Sequence, residues 1–460
     1  MLASTGRPKA ESKAESIALS NKETADLFEY KMIGRSANQR RMNVIIIGER
    51  VNPELKIFIM AGQHGDEIYS RKATERLISN LLKTRAKEFP SVGIAILPDA
   101  NPDGSHKGTR YTRGVNMNRD HIRLKTPEVR AIHSFISSWK PNLIIDVHNY
   151  PPTREYLDQR NYAYCHDILI DTPTNLAVRN RLEQEELENL IKDVQLDLEP
   201  HNYSCARYVL VSPQGRVRHS TYDIIDARNY LSLRYDTLTI LLEGREPLTK
   251  DAKNEIERSI SSQYFALLSV LKWAKTHMSS LSNNSHALIS KEGDRIPIRS
   301  KNVQSDQPFK MNFENTSTKE IEEVALPINL SNIKATRHVK LPSAYAIPVD
   351  KNRLIDHLHN DGFISERIND SKLQKVEKYL ILSYEPPKKK DDFPSKVELI
   401  ATEEEQDLYN YEIFPINQQG GHSLALLLEP QSKFGLRRYG FLDLEVVPGL
   451  EYPIVRCLSS

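Results

Sequence analysis

The chain has 460 residues, a formal net charge of +2 and three cysteines. That length exceeds one compact core, so two or three domains are expected. The near-neutral balance gives no sign of a broad basic face, so nucleic acid is not implied. No run of eighteen apolar residues occurs, which argues against a membrane span. The wide spacing of Cys165, Cys205 and Cys457 suggests reduced thiols and a cytoplasmic setting.

Residues 1–18 are rich in Ser, Lys, Glu and Ala and read as a disordered leader without the apolar stretch of a secretory signal. From residue 19 onward, strand-like runs appear at 28–33, 42–47, 55–60, 92–97 and 143–147. Helical patterns fall between them, at about 66–86 and 126–139. Strands separated by helix-length segments predict a layered α/β fold with a largely parallel sheet centre. A Leu- and Glu-rich helical block at 175–194, a buried strand at 238–242 and an amphipathic helix at 250–274 complete a first domain over 19–278. Residues 279–289 are a linker in composition. Residues 290–460 read as a smaller β-rich α+β domain. It has a helix near 351–360, a charged turn at 386–392, and strands at 421–428 and 442–447. Within it, His357 and His359 have no Cys or acidic companion nearby and read as surface histidines.

The chemistry concentrates after the apolar run 57–61, which enters a glycine-containing turn and then presents His64 and Glu67. Residues three apart share one helix face, so an imidazole and a carboxylate there reach one metal ion. In a chain of this length, roughly one His-x-x-Glu arises by chance, so context must decide. A third ligand is offered by His148, which ends the apolar strand 143–147. Two histidines and one carboxylate form a set that holds a catalytic zinc and leaves a position for water. Ligands at the carboxyl ends of neighbouring strands converge where open α/β sheets place their sites. No CxxC, HExxH, GxSxG, GxGxxG or P-loop pattern is present. Cys165 and His166 are adjacent on a strand-like run, so they point to opposite faces and do not form a nucleophilic pair.

In sequence order, His64-Gly-Asp-Glu67, Asn101-Pro-Asp-Gly104, Gly114-Val-Asn-Met-Asn-Arg119, His148 and Leu241-Leu-Glu243 make the chain resemble the M14 zinc metallocarboxypeptidases over about residues 25–280. The segment 33–40 looks like that family's opening. The nearest likeness is to microbial carboxypeptidase A-like members with a C-terminal extension. The resemblance implies a three-layer α/β/α catalytic domain with a mixed, centrally parallel sheet, one Zn2+ per chain on His64, Glu67 and His148, and hydrolysis of a C-terminal residue.

By the same resemblance Glu243 is the base and proton shuttle; burial at the end of an apolar strand would raise its pKa usefully. Asn118 and Arg119 match the pair that grips the terminal carboxylate, for which a planar guanidinium suits. Arg110 matches the oxyanion-stabilising arginine, with Arg113 as the alternative. Tyr222 matches the substrate-capping tyrosine, with Tyr230 competing. Arg228, fifteen positions before Glu243, falls where the family lines the side-chain pocket. A free cation there predicts a preference for acidic terminal residues; pairing with Asp226 or Asp223 is the alternative. Two departures stand out: Asn116 replaces the acidic buttress of the first histidine, and the stretch from Glu67 to His148 is short. Asp146, two residues before His148 on one strand, shares its face and is able to take up a supporting role.

Three functions follow. The first is a zinc exopeptidase that cleaves a C-terminal, preferably acidic, residue from peptides. The second is a zinc deacylase of N-acyl amino acids with the same residues. The third is a non-catalytic binding module, for which Asn116 is the only support. Residues 290–460 are expected to cover the mouth of the site and restrict entry.

Overall fold

The computed structural model describes residues 28–459, apart from 85, 180, 250–251, 285–288, 369–372, 386–395 and 443–446. The expected leader, the charged turn at 386–392 and most of the expected strand at 442–447 lie outside the described residues.

An eight-stranded mixed sheet forms the centre, in the order Phe28–Arg35, Arg41–Gly48, Val92–Leu97, Leu55–Ala61, Leu143–Tyr150, Leu238–Arg245, Ile168–Asp171, Cys205–Arg207. The middle four run parallel to one another. Antiparallel pairing joins Arg41–Gly48 to Val92–Leu97 on one side, and Ile168–Asp171 to Leu238–Arg245 on the other. The two faces follow from strict alternation. Ile45, Ile47, Ile57 and Ile59 pack under the helices Ile68–Thr84, Gln184–Leu198 and Lys253–Thr276. Val44, Ile46, Phe58 and Met60 pack under Pro127–Trp139 and Ala227–Tyr235. A side-chain period of two along strands buried on both faces gives three layers.

The helix Pro127–Trp139 shows how local chemistry sets an element. Thr126 caps it by accepting from the Val129 N–H, Pro127 opens it, and Lys140 closes it in the left-handed region. Its buried positions Val129, Ile132, His133 and Ile136 fall at helical spacing. Helix Gln184–Leu198 begins nine residues later than the pattern starting at 175 indicates; Ala177 and Val178 instead pack into the core shared with the C-terminal region.

That region is not a clean appendage. The strand Phe309–Asn315 pairs with Tyr162–Tyr164, and Ile328–Asn329 with Arg216–Arg218. Ile321–Leu326 pairs with Phe309–Asn315, Arg295–Val303 pairs with Asn332–Lys340, and a six-stranded antiparallel sheet carries the strands from Ala344–Pro348 to Val455–Cys457. Tyr230 and Leu233 of helix Ala227–Tyr235 share one core with Leu354, Leu358, Phe363 and Phe414. Gly420 sits at φ +65°, where a Cβ would meet the Arg234 carbonyl oxygen at 1.9 Å. Only glycine lets these backbones come so close. Two expectations are corrected. The helix Met278–Asn284 takes in residues 279–284 of the expected linker, and Ser423–Leu428 is a helix rather than a strand. A short apolar run carries no period by which to tell the two apart. Among the described residues no helix is long and apolar enough to cross a membrane.

Candidate active site

The strand Leu55–Ala61 ends at a turn through Gly62, and the chain re-enters a helix only at Ile68. His64 and Glu67 lie on this turn. It rests on the backbone of the segment 101–104: a Cβ on Gly65 would lie 2.2 Å from the Gly104 carbonyl carbon. Asn101 caps the short helix Pro102–Lys107 by accepting from the Gly104 N–H and donates to the Gln63 carbonyl at 3.3 Å. Two sequence motifs thus lock backbone to backbone. Replacing Gly65 by Ala should cost about 1–3 kcal/mol and weaken metal binding with it. Denaturant melts and zinc titration of the variant check this, and an unchanged metal affinity would separate the turn from the site.

His148 arrives from the neighbouring strand Leu143–Tyr150, and Glu243 from Leu238–Arg245, where it is the register partner of His148. Paired residues project to the same face of a sheet. The Glu67 carboxylate spans the two imidazoles, with Oε1 2.6 Å from His64 Nδ1 and Oε2 2.8 Å from His148 Nδ1. All three residues are buried, and their donor atoms lie within 4.8 Å of one another. Each imidazole is held from behind. His64 Nε2 lies 3.2 Å from Asn116 Oδ1, and His148 Nε2 lies 3.1 Å from Asp146 Oδ1. An acceptor behind each Nε2 suits the tautomer with its proton there and its Nδ1 lone pair facing inward, as metal ligation requires. Two imidazole nitrogens and a carboxylate form a donor set that fits zinc.

Burial pushes the Glu67 carboxyl upward, but the two imidazoles outweigh it and hold Glu67 below the usual carboxylate range. Burial holds His64 below its ordinary value, which favours the neutral, ligating form. His148 goes the other way: burial lowers it, yet Asp146 and Glu67 together raise it well above. A second carboxylate explains the contrast, since the partner behind His64 is the neutral Asn116.

Glu243 is 9% exposed, and its Oε2 has no hydrogen-bond partner among the described residues. Burial pushes its carboxyl up to about 8; His148 opposes, Glu67 and Asp146 reinforce, and Arg110 opposes. A carboxylate held near neutrality suits a base that takes and returns a proton.

The remaining expected residues divide. Arg110 reaches the cluster, with one guanidinium nitrogen 3.2 Å from Glu67 Oε1 and 41% of its side chain exposed. Arg113 does not: it turns to the Ala37 carbonyl (2.6 Å) and Asn38 (3.1 Å), so the alternative oxyanion arginine is corrected. Asn118 lies beside the cluster, with Nδ2 3.2 Å from His148 Nε2 and Oδ1 accepting from the Ala227 N–H. Arg119 is exposed and donates to the Asn118 carbonyl. Tyr222 has its hydroxyl 3.2 Å from Lys433 Nζ, while Tyr230 is buried with its hydroxyl on Asp361 and is unavailable as a cap. Arg228 is also not the free pocket cation expected. It is 1% exposed and donates to Asp171 at 2.5 Å, to Thr174 and to the Thr221 carbonyl, with Asp226 at 3.7 Å. The charge is matched inside the protein, by Asp171 first rather than by Asp226 or Asp223. Burial pushes the Cys165 thiol up to about 11, the wrong direction for a nucleophile. In the C-terminal region His357 is buried on the Ile122 carbonyl, contrary to the surface expectation, and Glu412 lies 3.6 Å from the exposed His359.

Sequence reasoning missed a polar string behind the site, made of Gln63, His121, His133 and Asp361. One signal was available: His133 lies on the apolar stripe of its helix, between Ile132 and Ile136.

The zinc carboxypeptidase family profile matches residues 14–125, which include His64, Glu67, Arg110, Asn118 and Arg119. "Probable carboxypeptidase 2" of Trichophyton verrucosum is 28% identical over 150 residues, covering 32% of this chain and 29% of that protein. Carboxypeptidase 2 of Trichophyton rubrum is 23% identical over 425 residues, covering 88% of this chain and 76% of that one. Among solved structures, the metallo-carboxypeptidase of Burkholderia cenocepacia aligns at 20% identity and TM-score 0.44, over 58% of this chain and 70% of that chain. The chain thus spans under a third of the first relative and about three quarters of the second.

Proposed function

We propose that this chain, which belongs to the M14 zinc carboxypeptidase family, removes the C-terminal residue of peptides by metal-assisted hydrolysis. The observation that carries the reading is the convergence of His64 Nδ1, Glu67 and His148 Nδ1, with Glu243 on the adjoining strand. A zinc ion held there supplies Lewis acidity toward water and the scissile carbonyl when bound.

The chain's own residues then have separable tasks. Glu243 takes the proton of the attacking water and passes it to the leaving amine, and no hydrogen bond ties down its Oε2 among the described residues. Arg110 directs one nitrogen at Glu67 and keeps the exposed part of its fork for the oxyanion. Asn118 and Arg119 receive the terminal carboxylate beside His148. An acidic preference would need a free cation, and Arg228 is matched by Asp171 and Asp226. We therefore propose a side-chain pocket without strong charge selection: kcat/KM on Glu-ended and Leu-ended peptides should agree within about tenfold, ~1.4 kcal/mol.

The test is a mass-spectrometric screen of peptides and N-acyl amino acids with the protein zinc-loaded and chelated. Release of the C-terminal residue only from peptides, only with zinc, supports the proposal. Hydrolysis of N-acyl amino acids alone would replace it by a deacylase, and no hydrolysis of either class by a non-catalytic module.

A further inference from the structure

Lys433 of the C-terminal region reaches across to the catalytic region and grips the segment that leads into helix Ala227–Tyr235. Its ammonium donates to both oxygens of the Asp223 carboxylate at 2.9 Å and to the Tyr222 hydroxyl at 3.2 Å. It also stands 4.6 Å from the centre of the Tyr222 ring. The Lys433 and Asp223 side chains are 20% and 14% exposed, so the pair is screened less than one on the open surface. Its surroundings are packed. Ser432 and Phe434 are buried on either side of Lys433, as is Ile224 beside Asp223. Ile224 and Phe434 belong to one apolar core shared by the two regions, which places the pair on a packed seam and not on a loop tip.

The grip matters because of where the segment leads. Its start is tied from the catalytic side: the Thr221 carbonyl accepts from Thr174 at 2.7 Å, Asn229 at 3.0 Å and Arg228 at 3.1 Å. The Tyr222 carbonyl accepts from Asn175 at 2.7 Å. At its far end Asp226 caps the helix by accepting from the Asn229 N–H, and the Ala227 N–H donates to Asn118 Oδ1 at 2.8 Å. Asn118 Nδ2 in turn lies 3.2 Å from His148 Nε2. The Asn118 amide is therefore oriented by backbone that begins at the two side chains Lys433 holds. Asp223 matches the lysine charge, which argues against a direct role for that charge on substrate.

We infer that Lys433 is a positioning residue: by holding Asp223 and Tyr222 it sets the path of residues 222–227, and so the Asn118 amide that receives the terminal carboxylate of the substrate. The C-terminal region then completes the site at one remove, through a cation that acts on a catalytic-region segment. The inference rests on the function proposed above only for the task of Asn118; the link from Lys433 to Ala227 stands on geometry alone.

The test uses the full zinc-loaded chain. Lys433→Met should lower kcat/KM on Glu-ended and Leu-ended peptides alike by about 10–100-fold. The loss should fall mostly on KM, because a misplaced Asn118 weakens the grip on the bound carboxylate, while zinc affinity by chelator competition is unchanged. Lys433→Arg keeps a cation that spans both oxygens of a carboxylate and should recover most of the loss. Asp223→Ala should resemble Lys433→Met, and the double variant should be no worse than either alone, as for residues in direct contact. Hydrogen exchange, read by mass spectrometry on peptides covering 221–230, should be about fivefold faster in Lys433→Met. Unchanged kcat/KM overturns the positioning role, and unchanged exchange overturns the grip. A loss in kcat alone, or Lys433→Arg no better than Lys433→Met, would assign the lysine to packing and overturn the inference. A loss confined to Glu-ended peptides, which would mean that the lysine reads substrate itself, or a gain in kcat/KM, which would make the contact a restraint, overturns it equally. Should Lys433→Met fail to fold, Asp223→Ala makes the same comparison. Wild-type protein that cleaves no peptide would count against the proposed function instead, and the exchange result would still decide whether Lys433 holds the segment.

Discussion

Replacing Glu243 by Gln is expected to lower turnover by about 10²–10⁴-fold, the usual contribution of a positioned acid–base group, while zinc stays bound. The carboxylate that bridges the histidines belongs to Glu67, not Glu243, so the substitution removes the proton carrier and spares the donor set. The same variant should gain stability when metal-free. Glu243 is pushed up to about 8 in the folded chain, above the value near 4.3 of an unfolded glutamate. Between those values the folded state binds the extra proton. The Glu243 contribution to stability is therefore greatest below the unfolded value and is lost as pH rises toward 8. Glutamine carries no such dependence. Its advantage over wild type should grow across that window as pH rises. Denaturant titrations of chelated protein on both sides of the window measure it. A variant that keeps more than a tenth of wild-type turnover, or loses its zinc, would remove Glu243 from the role.

What the sequence made legible was local. The central strands, the His-x-x-Glu turn and the strand-end positions of His148 and Glu243 follow from apolar runs and short spacings, which one segment specifies by itself. Asp146 was readable for the same reason, since i and i+2 share a strand face. The rest depends on partners far apart in the chain. Arg228 meets Asp171 across 57 positions, and His133 meets Asp361 across 228. No periodicity in either segment encodes such a pairing; it exists only once three layers and the C-terminal region have packed. The helix Ser423–Leu428 was lost differently, because six consecutive buried positions show no alternation of any period.

The Arg228 pairing carries the second large expected effect. Asp171 and Arg228 are both essentially unexposed, and the Arg207 Nε adds a contact to Asp171 at 3.3 Å. Removing one member of a buried pair leaves the other charge without compensation, which costs about 3–5 kcal/mol. Asp171→Ala should fall in that range, because it strands Arg228 and also frees Arg207. Arg228→Met should cost less, since Asp171 keeps Arg207. The double substitution should be less damaging than the sum of the two, as for residues in direct contact. Because Asp171 is the register partner of Leu241, two residues before Glu243, Asp171→Ala should also lower kcat without metal loss. Substrate choice separates the structural role of Arg228 from a selective one. If the arginine only holds Asp171, Arg228→Met lowers stability and leaves the ratio of kcat/KM on Glu-ended and Leu-ended peptides unchanged. A methionine variant as stable as wild type, with activity reduced on the Glu-ended peptide alone, would mean that this guanidinium leaves Asp171 when substrate arrives and reads the terminal side chain after all.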